Sequence, residues 1–137
     1  MNLQFPSMLY IGTSSSFNSS EQIYEVNPVT FLVTRRLDIP KYHWAGINPL
    51  IAMNNNSLLA GLGSSLYVIS LPAFNITRTI DLSSYVTGSA HITQGVVAGR
   101  YGYFIISSGV RGGIDNLLQV DFSSAYCLSL FLVLPFA

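Results

Sequence analysis

Three asparagines in this 137-residue chain occupy the pattern Asn-x-Ser/Thr, the acceptor sequence for N-linked glycans: Asn18, Asn55 and Asn75. Three is a mild excess over what the composition produces by chance. All three are expected in or beside turns, where an acceptor has to be exposed. Charged residues make up only 9% of the chain, so attached glycans would supply solubility that the side chains lack. We therefore predict N-linked glycans at these asparagines.

A candidate ligand face is formed by four further residues: His43, Trp44, His91 and Arg111. The two histidines stand at equivalent junctions between strands, one repeat unit apart, and Arg111 lies in a glycine-rich loop. The alternative is that both histidines bond backbone carbonyls at the end of a central channel.

Catalytic and metal-binding patterns are missing from the sequence. It has no Gly-x-Ser-x-Gly, no His-x-x-x-His and no dense aspartate run. Asp38 and Asp81 recur at one repeat position, each near a recurring arginine, Arg35 or Arg78. Because a catalytic residue is needed only once, we interpret these as structural ion pairs. The sequence predicts no enzyme activity, no cofactor and no metal site.

The charge balance excludes a protein that binds nucleic acid through phosphate contacts, since six Lys and Arg face six Asp and Glu. The single cysteine, Cys127, excludes an intrachain disulfide and is interpreted as a small buried side chain. The longest apolar tract, 128–137, has half the length of a membrane-spanning helix. We expect no membrane span and no nucleic-acid partner.

An internal repeat is the most informative feature. Residues 23–39 (IYEVNPVTFLVTRRLDI) align with 66–82 (LYVISLPAFNITRTIDL), and a weaker copy at 117–135 fits if one extra residue is inserted. Each copy alternates apolar and polar residues around a turn, which predicts a strand pair. A further run or pair of runs precedes each copy, giving about eleven strands in units 7–40, 45–83 and 91–135 of a single domain, 1–137, with less than a tenth helix. A fragment of a longer array is the alternative to a complete chain.

The runs LYVISLPAFNITRTIDL and GVVAGRYGYFII resemble the propeller repeats of the YVTN and NHL type. The acidic residue that such repeats often carry after the LYVI run is Asn27, Ser70 or Asp121 here. This resemblance implies an all-β, propeller-like array of about three four-stranded antiparallel blades, the first lacking its inner strand. A β-sandwich is the alternative fold.

The last strand carries an apolar residue at nearly every position, so both of its faces are expected to be covered. We assign Leu128, Leu130, Phe131 and Val133 to an assembly interface on this basis. Three blades do not close a ring, and unpaired strand edges favour pairing with another chain. We expect a homo-oligomer or a filament of identical subunits.

These observations predict an extracellular, glycosylated structural or adhesive β-repeat protein that self-assembles, by ring closure or as a filament. The alternative is a carbohydrate-binding propeller of lectin type that uses Trp44. A third hypothesis is a hydrolase whose site lies on the His43, His91 and Arg111 face.

Overall fold

The computed structural model describes residues 8–14, 20–40, 46–54, 56–86, 90–108, 115–123 and 126–132, the last range for its backbone only. Within these ranges the chain forms eleven strands and no helix. The strands are β1 (Leu9–Gly12), β2 (Ser20–Val26), β3 (Val33–Pro40), β4 (Ile47–Asn54), β5 (Ser57–Leu62), β6 (Ser65–Ser70), β7 (Asn75–Asp81), β8 (His91–Ala98), β9 (Tyr101–Ser107), β10 (Asn116–Asp121) and β11 (Tyr126–Leu132).

The strands form three antiparallel sheets: sheet 1 is β1-β2-β3, sheet 2 is β4-β5-β6-β7 and sheet 3 is β8-β9-β10-β11. In each sheet the spatial order follows the chain order. This arrangement confirms the expected propeller-like array of one three-stranded and two four-stranded blades. A β-sandwich with Greek-key connections is wrong for this chain, because no strand of the described part pairs outside its own consecutive run.

The last two strands of each sheet pair in the same way. A bulge interrupts the ladder directly after Glu25 in sheet 1, Val68 in sheet 2 and Gln119 in sheet 3. Six residues then separate the paired positions on either side of the turn in every sheet. The prediction that the third unit contains one extra residue is therefore wrong. The register places Ser129, not Leu130, at the position of Arg35 and Arg78.

The turn inside this hairpin repeats its backbone conformation. Phe31 and Phe74, one repeat apart, both adopt left-handed φ angles, 58° and 52°. The first turn residue caps the backbone where its side chain allows: the Asn27 Oδ1 accepts from Val29 N at 2.8 Å, and the Asp121 Oδ1 accepts from Ser123 N at 2.9 Å. The position that propeller repeats often fill with an acid serves here to close a turn.

Two apolar clusters lie between consecutive sheets. The cluster between sheets 1 and 2 includes Ile23, Ile39, Leu58 and Ile69. The cluster between sheets 2 and 3 includes Leu59, Leu66, Phe104, Leu118 and Val120. Because successive strand residues point to opposite faces, Leu58 and Leu59 enter different clusters. In sheets 1 and 2 we call the face that points toward the next sheet in the chain the leading face, and we use the same name for the equivalent face of sheet 3. The opposite face of each sheet is the trailing face.

Candidate functional site

The predicted ligand face is described only at His91. This half-buried residue begins β8, and the neighbouring Ile92 N donates to Gly63 O at 3.0 Å in the turn between β5 and β6. His43, Trp44 and Arg111 lie outside the described residues. A ligand site made by these four residues, and with it the lectin and hydrolase alternatives, stays a prediction.

A buried carboxylate lies at the corresponding end of sheet 1 and was not singled out from the sequence. Glu21 is fully buried, and its Oε2 accepts from the Thr13 hydroxyl at 2.8 Å. The Thr13 Oγ1 in turn accepts from Gln22 N at 2.9 Å. At the equivalent place in sheet 3, Asp115 accepts from Ser108 N at 3.4 Å. These carboxylates hold the connection between two strands, which is a structural role.

The junction between sheets 1 and 2 contains a network around Glu25. The carboxylate accepts hydrogen bonds from the Arg35 guanidinium, from the Thr34 hydroxyl at 2.7 Å and from the Tyr10 hydroxyl at 3.1 Å. Arg35 also crosses to sheet 2, where it donates to Pro72 O at 3.1 Å and lies 4.7 Å from the centre of the Phe74 ring. The same ring lies 6.3 Å from that of Tyr10. Arg35 thus ties one sheet to the turn of the next.

The repeated arginine makes the same kind of link at the second junction. Arg78 donates through Nη1 to Phe122 O, which lies in the matching turn of sheet 3. The expected pairing of these arginines with Asp38 and Asp81 is wrong. Residues three apart on a strand point to opposite faces, so arginine and aspartate cannot meet. Asp38 pairs instead with Arg36 at 3.2 Å, and the Asp81 Oδ1 accepts from Ser83 N at 2.8 Å.

Protonation of Glu25 would dismantle part of the first junction. The Arg35 guanidinium lowers the pKa of this carboxyl below its ordinary value, with further lowering by the hydroxyls of Thr34 and Tyr10 and opposition from burial. A lowered folded-state pKa contributes stability that is full above the ordinary carboxyl pKa and is lost as pH falls through the folded value.

We therefore expect the melting temperature to fall steeply below about pH 4 and the Glu25→Gln variant to show a shallower acid decline. Asp81 and Asp121, whose carboxyl pKa values are also lowered by hydrogen bonds, leave some acid dependence in the variant. Thermal melts followed by circular dichroism between pH 7 and pH 3 measure this. Parallel acid declines in the two proteins would contradict the assignment.

The leading face of sheet 3 is open. It carries a shallow, largely apolar groove of about 180 Å³, lined by Gln94, Gly95, Val96, Tyr103, Ile105 and Leu117. Val96 is 62% exposed. The hydroxyl of the lining residue Tyr103 accepts a hydrogen bond from the Gln119 amide at 3.0 Å. None of the lining residues is charged, so an occupant would not have to displace water from an ion.

The trailing face of sheet 1 is open as well. Leu9 is 45% exposed and Ile11 50% exposed, whereas the residues in the same places of sheet 2, Leu58 and Ala60, are buried. The turn of sheet 1 is similar: Phe31 is 76% exposed, while its repeat partner Phe74 is 7% exposed. The two outer faces of the array thus expose apolar side chains that the inner junctions cover.

The remaining predicted sites are described in part. Asn75 is exposed and begins β7, directly after a turn. Asn18, Asn55 and Val133 lie outside the described residues. Leu128, Leu130 and Phe131 lie in β11, whose side chains are not described. In the ranges described, no three His, Cys, Asp or Glu side chains cluster as metal ligands, and no helix is long and apolar enough to cross a membrane.

No protein-family model matches the chain, and no curated protein matches it in sequence. Solved structures do match in fold. A europium-containing methanol dehydrogenase, a propeller enzyme, superposes with a TM-score of 0.70 at 10% identity over 93% of this chain and 23% of its own. A protein of unknown function from Bacteroides caccae gives 0.60 at 12% identity over 90% and 40% of the two chains. A complex of KlAtg21 with the coiled coil of AgAtg16 gives 0.53 at 15% identity over 89% and 38%.

This chain therefore spans 23% to 40% of the length of these structures. At such low identities the similarity shows the propeller-like fold alone and carries no activity over to this chain.

Proposed function

We propose that this chain is an extracellular, glycosylated structural or adhesive β-repeat protein that self-assembles. The observation that carries the proposal is the pair of open outer faces, on sheet 1 and on sheet 3, with exposed apolar side chains at places that are buried inside the array. Covering a side chain of this size stabilises an assembly by roughly 1.5–3 kcal/mol. A few such side chains are comparable to the free energy of micromolar association.

Sedimentation velocity over a range of protein concentrations tests the assembly. We expect the weight-average mass to rise above the 15.0 kDa of the chain as the concentration reaches the micromolar range. Because apolar burial drives this association, moderate salt should change it little. A species that stays at 15.0 kDa throughout would contradict the proposal.

Glycosylation makes a separate prediction at Asn75, the one proposed acceptor that the structure describes. The exposed side chain precedes Ile76 and Thr77, and Thr77 completes the acceptor pattern. We expect the protein from a secretory eukaryotic host to carry glycan here. Intact-mass measurement should then show a loss of mass when Asn75 is replaced by Gln, and a smaller or no loss when the non-acceptor Asn116 is replaced by Gln. A measured mass equal to that of the bare polypeptide would contradict the predicted glycan and weaken the extracellular assignment.

A further inference from the structure

The two open faces carry residues at positions equivalent to the two sides of an inner junction. The bulge after Glu25, Val68 and Gln119 fixes which residues are equivalent in the three sheets. Tyr10, Leu59 and Tyr103 pair with those three bulge residues across the ladder, so they occupy the same position on the leading faces of the three sheets. Sheet 3 therefore repeats the tyrosine of sheet 1.

The hydrogen bond of that tyrosine is repeated too. Tyr10 donates its hydroxyl proton to Glu25 at 3.1 Å, and Tyr103 accepts from the Gln119 amide at 3.0 Å. In sheet 1 the pair is covered by the turn of sheet 2, because Phe74 lies against Tyr10. In sheet 3 the tyrosine of the pair, Tyr103, lines the open groove.

The turn that would cover Tyr103 is present at the other end of the molecule. Phe31 occupies the position of Phe74, has the same left-handed backbone and is 76% exposed. Behind it, Leu9 and Ile11 are exposed where Leu58 and Ala60 of sheet 2 fill a junction. Sheet 1 thus exposes to solvent a turn and a trailing face that are equivalent to those with which sheet 2 covers sheet 1.

The charges agree with this pairing. At the first junction the buried Glu25 requires Arg35. In sheet 3 the two positions are Gln119 and Ser129, so the acid and the arginine are absent together. At these two positions a junction formed on sheet 3 would bury no unpaired ion, which is a costly defect of an interface.

We propose that the leading face of sheet 3 binds the trailing face of sheet 1 of a second copy, with Phe31 of one copy lying against Tyr103 of the other. The inference rests on the self-assembly proposed above and specifies the surface and the occupant. The contact is heterologous, so two copies form a closed pair of six sheets or successive copies form an open chain.

Two single substitutions at exposed positions test the contact. Ile11→Asp blocks the face of sheet 1, and Val96→Asp blocks the groove of sheet 3. Each places a carboxylate in an apolar contact and is expected to weaken association by roughly a hundredfold or more. An equimolar mixture of the two variants retains one intact face of each kind, so we expect a 1:1 dimer in sedimentation, while each variant alone remains monomeric. Circular dichroism spectra that match the parent protein verify the fold of each variant.

The Phe31→Gly variant provides a test in which weaker association cannot be explained by a loss of folding. Glycine accepts the left-handed conformation without strain, so the monomer is expected to resist denaturant at least as well as the parent while its association weakens tenfold or more.

The outcomes separate this inference from the proposed function. If the parent protein associates and either aspartate variant associates equally well, the contact is wrong and self-assembly stands. A mixture that remains monomeric shows that the intact sheet 3 face of one variant does not bind the intact sheet 1 face of the other, and it also overturns the inference. If the parent protein is monomeric at every concentration, both proposals fail.

Discussion

Truncation of Phe104 to alanine is expected to lower the free energy of unfolding by about 3–5 kcal/mol. Phe104 is fully buried in the cluster between sheets 2 and 3, where it meets the Phe122 ring edge-on at 6.4 Å. The chain makes room for its ring with two glycines, Gly95 opposite it on the neighbouring strand β8 and Gly102 two residues earlier on its own strand β9. A Cβ atom at Gly95 would lie 2.4 Å from the ring, and one at Gly102 would lie 2.6 Å from it. The alanine variant leaves a cavity between three strands that the rigid ladders cannot close.

Urea unfolding followed by circular dichroism measures this loss. Tyr85→Ala is the matched control, because it also truncates an aromatic ring but at an exposed turn position. We expect the control to lose less than about 1 kcal/mol. Equal losses in the two variants would show that the junction between sheets 2 and 3 does not stabilise the fold. Since small domains have only about 5–15 kcal/mol in total, this substitution should remove a large share of the stability of the fold.

Replacement of Arg35 by alanine is expected to cost about 2 kcal/mol. The Glu25 side chain is only 7% exposed, so loss of the guanidinium leaves a nearly buried carboxylate with two hydroxyl donors. The side chain of Arg35 is itself 36% exposed, and water entering its place limits the loss. The contact with the Phe74 ring and the bond to Pro72 O disappear as well.

Arg36→Ala is the control for Arg35→Ala. It removes the neighbouring arginine, whose pair with Asp38 is half-exposed on both sides, and should cost less than about 1 kcal/mol. The double variant Arg35→Ala with Glu25→Gln should be more stable than Arg35→Ala alone, because no charge is then left buried. Strictly additive effects of the two substitutions would contradict a direct coupling between the side chains.

The fold was largely predictable because its signals are local. Alternating residues, turn residues and the 43-residue repeat define the strands and their grouping without reference to long-range contacts. The sequence alone places the last strand of the third unit one residue out of register, because that strand is apolar at nearly every position and lacks the alternation that fixes a register. Only the backbone pairing of Gln119 with Ser129 decides it.

The junction residues were harder to predict. The sequence shows the recurring arginines, but their partners lie across the neighbouring strand or sheet and not nearby in sequence. Strand periodicity excluded the Asp38 pairing, and the same periodicity placed Glu21 and Glu25 on the buried face with Ile23. The exposure of Phe31 carries no sequence signal, because its repeat partner Phe74 is buried in the same backbone conformation.

The stacking of three sheets in a row has a consequence for motion. Sheet 2 is covered on both faces, whereas sheets 1 and 3 are each covered by the array on one. In a linear array, opening begins at a terminal unit because only one junction has to be released there. Amide hydrogens of β5 and β6 should therefore exchange by opening of the whole molecule, and those of the outer sheets by local fraying that is faster. In the isolated chain, sheet 2 is therefore the part most protected from amide exchange, and sheets 1 and 3 are the least protected.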